Sequence, residues 1–221
     1  MEQTKQRGIQ THVTDQQDYP KYELYNGSKS GDGFYEPILD SLNRIVTEQL
    51  DQHTRVNIIR FDIGGLKCSA SEANAMVVNG FKRMRQRLQR YTSRDGKPLR
   101  IKSIGTGWVR EYSKLKGIHY HCVVVFKAVF RSDRVMSSGN TMLGIFKLIA
   151  DSFSSLAVNF GTRCWKTDKR KHHFYTINRN DTSALAEAMK GLSYLAKVST
   201  KQHAADGSRF YSFSKIKHVR H

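Results

Sequence analysis

Apolar and polar residues alternate along the chain in two rhythms. In residues 36–50, Ile38, Leu42, Ile45, Val46 and Leu50 recur at three- and four-residue intervals, which predicts a helix with one buried face. Residues 55–63 are rich in β-branched and aromatic side chains, end at Gly64-Gly65, and predict a strand. Ser69-Ala70-Ser71-Glu72 has the form of a capping box and opens a second helix to about Arg90, with Ala73, Met76, Val77, Phe81, Met84 and Leu88 as its buried stripe. Residues 98–112 and 118–130 read as a hairpin. A helix is expected over 142–158 through Leu143, Phe146, Ile149, Ala150 and Phe153, a strand over 162–177, and a last helix over 181–198 with Asp181 as its N-cap.

This order, β-α-β-β-α-β followed by a helix, predicts an α+β fold of the ferredoxin-like, split βαβ kind. Its central antiparallel sheet would carry helices on one face and leave the other open for an active site. Residues 1–33 are polar, with Gly27, Gly31 and Gly33 near their end, and are expected to form a flexible arm. Residues 34–221 would form one domain with an N-terminal helix and a basic C-terminal tail.

The strand beginning Ile118-His119-Tyr120-His121-Cys122 is the most informative stretch. Side chains alternate across a strand, so His119 and His121 share one face while Tyr120, Cys122, Val124 and Phe126 take the other, toward the helices. If the short segment from Ser113 to Gly117 closes a hairpin that pairs Tyr112 with Ile118, Glu111 falls opposite His119, with Cβ atoms about 5 Å apart. Two imidazoles and a carboxylate then converge on one point, as a metal ion requires. In the last helix Leu185, Ala188, Met189, Leu192, Leu195 and Ala196 form the apolar stripe, and Tyr194 lies nearly opposite with Lys190, Lys197 and Lys201. A phenol beside ammonium groups is expected to have its pKa lowered, which suits a nucleophile.

Composition narrows the chemistry. Thirty-seven Lys and Arg against 19 Asp and Glu give a formal charge of +18. Such an excess repels itself unless a polyanion compensates it, and nucleic acid is the natural partner. Backbone contacts are expected from Arg60, from Lys82, Arg83, Arg85, Arg87 and Arg90 in the second helix, from Lys166, Lys169, Arg170 and Lys171, and from Lys190 and Lys201. Trp165, Phe174 and Tyr175 could stack on bases or belong to the core. His172 and His173 are adjacent and point apart, which makes them a poor chelating pair. No apolar stretch approaches the length of a membrane helix, and three widely spaced cysteines suit a reducing cytosol.

Glu111, the His119-Tyr120-His121 strand and the downstream Tyr194-Leu195-Ala196-Lys197 together resemble the HUH endonucleases, closest to single-tyrosine rolling-circle replication initiators of filamentous phages and prophages. Arg60-Phe61-Asp62-Ile63 stands where that family has its first-strand motif. The resemblance covers about residues 55–200. It implies that Glu111, His119 and His121 hold Mg²⁺ or Mn²⁺, and that Tyr194 attacks single-stranded or origin-hairpin DNA to leave a 5′-phosphotyrosine, with Lys197 assisting. It also implies a bacterial cytoplasmic setting and a host polymerase extending the freed 3′-hydroxyl. No GxxxxGK[ST] loop occurs, so strand separation would fall to a host helicase.

Two other readings compete. A non-catalytic nucleic-acid-binding module on the same fold accounts for the charge but leaves Glu111, His119, His121 and Tyr194 unexplained. A hydrolytic zinc enzyme using the histidines and a cysteine is opposed by strand alternation, which turns Cys122 away. Glu111 alone could be a surface partner of Arg110, Lys114 or Lys116, and Asp62 is expected to be structural or to support a ligand.

Overall fold

The computed structural model describes residues 13–14, 19, 21–25, 33–92, 96–113, 117–129, 140–154, 156–160, 174–198, 201 and 207–215. A short pair, β1 (Val13–Thr14) and β2 (Phe34–Tyr35), precedes α1 (Glu36–Gln52), β3 (Arg55–Leu66), α2 (Ala70–Gln89), β4 (Ile104–Ser113) and β5 (Gly117–Lys127). Then come α3 (Asn140–Ser152), β6 (Ala157–Asn159), β7 (Phe174–Asn178), α4 (Thr182–Ser193), a 3₁₀ turn at Tyr194–Ala196, and β8 (Tyr211–Phe213). The large sheet is antiparallel in the order β6-β3-β5-β4-β8, and β7 joins β6 along the same edge of β3. From β3 to β6 and β7 this is the ferredoxin-like arrangement, with β3 and β5 side by side at its centre.

Those two central strands are buried on both faces, and their near-continuous apolar runs follow from that. On one side α2 and α3 pack on Phe61, Ile63, Trp108, Tyr120, Cys122, Val124 and Phe126. The other face is not left bare as expected. There α1 and α4 bury Ile38, Leu42, Ile45 and Leu192 against Val56, Ile58, Val109, Val123 and Val125. Both outer helices have an apolar stripe that must be buried, and the second sheet face is the surface that receives it. Among the described residues, the end of that face beyond the helices carries Arg60, Asp62, Glu111, His119 and His121.

Local signals explain the boundaries. The Ser69 hydroxyl accepts from the Glu72 amide at 3.2 Å, and the Glu72 carboxylate accepts from the Ser69 amide at 3.0 Å, completing the expected capping box. The Asp181 carboxylate caps α4 through the Ala184 amide at 2.9 Å. Gly65 adopts a φ of +77° where β3 slips register against β5 between Ile63 and Leu66. Gly80 permits the close crossing of α2 by Phe153, since a Cβ there would lie 2.2 Å from the phenyl ring.

Several expectations need correction. The helix expected to reach Val158 stops at Ser152, because Val158 instead pairs with Ile63. The last helix ends at Ser193 rather than Val198, tightening into the 3₁₀ turn. Met76 is 37% exposed and lies outside the buried stripe. Within the polar stretch read as an arm, Tyr19 and Leu24 are core residues, and the Tyr22 hydroxyl donates to Asn43 Oδ1 at 2.6 Å. Of the two readings for Tyr175 and Phe174, the structure places Tyr175 in the buried core and packs the partly buried Phe174 against the opposite core. Residues 162–173 of the expected strand lie outside the described residues. Arg110 donates to Ser208 Oγ at 2.8 Å and ties the C-terminal segment to the sheet, so it is not a partner of Glu111. Among the described residues no helix is long and apolar enough to cross a membrane.

Two substitutions test this packing by chemical denaturation. Gly80→Ala, which must displace the Phe153 ring, is expected to cost roughly 1–3 kcal/mol. Ser69→Ala, which removes the cap of α2, is expected to cost about 1 kcal/mol.

Candidate metal centre

The β4–β5 register pairs Tyr112 with Ile118 and Glu111 with His119, as the hairpin length predicts. Alternation along β5 then brings His121 to the same face. Glu111 Oε2 lies 3.3 Å from His119 Nε2 and 3.1 Å from His121 Nε2. One ligand atom from each of the three residues falls within 4.8 Å of the others, a spacing that could hold a metal ion.

The outer nitrogens of both rings are held. His121 Nδ1 is 2.6 Å from Asp62 Oδ1, and His119 Nδ1 is 3.2 Å from the Gly117 carbonyl. A carboxylate and a carbonyl accept, so each Nδ1 is held as a donor and each Nε2 is the nitrogen turned toward Glu111. His121 Nε2 is buried and makes no hydrogen bond; its 3.1 Å approach to Glu111 is a charge contact without hydrogen-bond alignment. A buried ring nitrogen without a hydrogen-bond partner beside a carboxylate is costly, and a cation between the two would satisfy both. The donor set of two imidazoles and one carboxylate fits a divalent ion, and Asp62 behind His121 is the support such ligands commonly have.

Glu111 is only 3% exposed, and its second oxygen accepts from the Lys201 ammonium. Burial alone would raise its pKa, but the two histidines and the charges of His121 and Lys201 outweigh burial and hold the carboxyl far below its usual range. Burial would lower His121, yet Asp62 and Glu111 reverse this and raise it. Burial also pulls the Lys201 ammonium below its ordinary value, against the opposing pull of Glu111.

Tyr194 stands beside this cluster. Its ring meets the His121 ring edge-to-face, with centroids 5.3 Å apart. The Arg60 guanidinium lies 4.4 Å from the Tyr194 ring centroid and Lys197 Nζ 5.6 Å from it. On the far side Tyr25 contacts it edge-to-face at 5.4 Å, and the Tyr25 amide donates to Ser193 Oγ at 2.8 Å. The expected lowering of the phenol's pKa is not found. Burial, followed by the negative charge of Glu111, raises it, and Arg60 offsets only part of that rise.

The expected nucleic-acid contacts divide into distinct groups. Arg60 and Lys201 are buried in the site rather than spread over a surface. Lys190 is engaged with Glu23 at 2.5 Å. Lys82, Arg83, Arg87 and Arg90 are exposed on α2, while Arg85 is half-buried against Thr106. All five belong to the helix that covers the sheet face opposite the Glu-His-His cluster. Lys166, Lys169, Arg170 and Lys171, with Trp165, His172 and His173, lie outside the described residues. Cys122 is buried in the α2–α3 core, where burial pushes its thiol pKa well up, and it does not join the histidines.

Sequence reasoning gave no role to Tyr25 and set Lys201 on the basic face of the last helix, whereas Lys201 lies beyond that helix, buried against Glu111. The Asp62 contact follows from alternation once β3 is known to lie beside β5, because Asp62 is directly opposite His121.

If Asp62 orients His121 for a ligand role, Asp62→Asn should weaken Mn²⁺ binding by roughly 10–100-fold in calorimetric titration, with the fold retained. Unchanged affinity would remove Asp62 from the centre.

No curated protein and no solved structure matches the chain. The model of the YagK/YfjJ C-terminal domain matches residues 17–214, a span that includes every residue of the cluster as well as Tyr25 and Tyr194. The chain therefore belongs to the YagK/YfjJ C-terminal domain family, which is prophage-associated.

Proposed function

We propose that this chain nicks and rejoins single-stranded DNA as a metal-dependent endonuclease of the HUH type, initiating rolling-circle-type replication of a phage or mobile element. The observation that carries this reading is the 5.3 Å contact between the rings of Tyr194 and His121, which sets a phenol beside a cluster fitted for a cation. A basic binding module has no need of that juxtaposition.

In this reading Glu111, His119 and His121 hold Mg²⁺ or Mn²⁺, which when bound would offset charge on the scissile phosphate and favour the ionised phenol. Asp62 fixes the His121 tautomer, and Lys201 balances the Glu111 carboxylate. Tyr194 Oη gives up its proton and forms a bond to phosphorus. The bond from phosphorus to the 3′ oxygen breaks, and that oxygen takes up a proton to become a 3′-hydroxyl. The downstream strand is left on the tyrosine through its 5′-phosphate. Lys197 offers positive charge to the phosphate as the bonds exchange. Attack by a later 3′-hydroxyl on the phosphotyrosine reverses the exchange and rejoins the strand without nucleotide hydrolysis. Exposed arginines of α2 would contact DNA backbone on the second side of the domain. Host helicase and polymerase would supply unwinding and extension in the bacterial cytoplasm.

The test is covalent capture. Single-stranded oligonucleotides tiled across the DNA flanking the gene are incubated with the full chain and Mn²⁺. A protein–DNA adduct is expected, absent in Tyr194→Phe. His121→Ala should lose cleavage while keeping most of its DNA affinity, measured by fluorescence anisotropy. Raising salt should weaken binding linearly on a log–log scale, because phosphate contacts release counterions. Tight binding by the wild type with no adduct on any oligonucleotide would leave a non-catalytic module instead.

A further inference from the structure

Among the described residues, Arg60 is the buried cation of the site that the metal cluster does not explain. Its side chain comes from β3, two residues before Asp62, and the residue is 7% exposed. Lys201 has Glu111 as its counter-ion, and the two ring nitrogens of His121 face Asp62 and Glu111. Arg60, by contrast, has no carboxylate within ion-pair distance among the described residues. Its Nε is buried with no hydrogen-bond partner, and its Nη1 donates only a long bond of 3.5 Å to the Gly191 carbonyl. The guanidinium lies instead over the Tyr194 ring at 4.4 Å.

A buried charge that is neither paired nor fully hydrogen-bonded opposes folding. Hydrophobic residues of similar size would fill the same volume more favourably. The ring beneath it recovers part of that deficit, and the free N–H groups do not. A guanidinium presents its donors as a flat fork that matches two oxygens of a phosphate. Lys197 adds a second positive charge at the same ring, again with no carboxylate at ion-pair distance among the described residues. Among the described residues no carboxylate pairs with either group, so an anion delivered by a ligand would complete the set.

We propose that Arg60 is a phosphate-binding residue, whose guanidinium receives the non-bridging oxygens of a phosphodiester at Tyr194 and keeps hold of the phosphoryl group once it is esterified to the phenol. The site is thus divided. Glu111, His119 and His121 form its cation side, and Arg60 with Lys197 its anion side, with the tyrosine between them. This rests on the nickase reading for the identity of the substrate, but the anion site itself can be tested without DNA.

The probes are inorganic phosphate and phenyl phosphate, added to the metal-free full chain. The Arg60 Nε–Hε resonance is followed by NMR and affinity is measured by calorimetry. The resonance is expected to shift saturably, and Arg60→Met should weaken phosphate binding at least roughly tenfold, the worth of a lost charge-assisted hydrogen bond. Arg60→Lys, which keeps the charge but not the fork, should fall between. Arg60→Met should also melt higher, by roughly 2–4 °C, since an apolar chain replaces an unpaired cation. A purely structural arginine would melt lower on removal. An Arg60 resonance indifferent to phosphate, unchanged affinity in Arg60→Met, or a lower melting point in that variant each overturns the proposal. The DNA assay separates the two claims. Phosphate binding at Arg60 without any Tyr194 adduct sustains the anion site and removes the nickase, whereas adduct formation undiminished in Arg60→Met sustains the nickase and removes the anion site.

Discussion

A single buried carboxylate organises the site. Glu111 sits where β4 and β5 run side by side, with one oxygen facing two imidazoles and the other an ammonium. A carboxylate at that depth persists only when every lone pair has a positive or donating neighbour, so its presence dictates what surrounds it. The register that puts it there is shared by the whole hairpin. A slip of one residue would turn Glu111 into the α2 core and bring Arg110 into its place. Trp108 and Tyr120, packed edge-to-face with centroids 5.5 Å apart on the opposite side, oppose such a slip. The chemistry of one face is thereby guarded by the hydrophobic packing of the other.

The cluster was legible in the sequence for two simple reasons. Strand alternation put His119 and His121 together, and a short connection left little freedom in which residue could oppose them. The helix starts were legible from Ser69 and Asp181, whose side chains do what isolated capping residues do. What escaped was information that no local window contains. Arg60 and Lys201 belong to residue types found mostly at surfaces, and nothing around either marks it as buried. The direction of the Tyr194 pKa depended on how deeply the turn after α4 is packed, and burial outweighs neighbouring lysines. The second helical layer was missed because the helices were assigned to the split βαβ unit alone. The apolar stripes of α1 and α4 were in view, and each implied a surface to cover.

Charge is distributed unevenly between the two sides of the sheet. The α2 side displays arginines in water, where each adds a little and salt screens it. Around Tyr194 the positive groups are fewer but withdrawn from solvent, where each acts more strongly on whatever enters. A sequence with a net charge of +18 thus contains two kinds of basic residue, diffuse and focused, and composition alone treats them as one.

The tether between Tyr25 and the turn after α4 has a practical consequence. The metal-side residues all come from the middle of the chain, yet the phenol leans on a segment near its beginning through Tyr25, Glu23 and the Ser193 hydroxyl. Engineering that treats this early stretch as dispensable, by trimming it or fusing a tag within it, would leave the ion-binding half intact while unmooring the group meant to react.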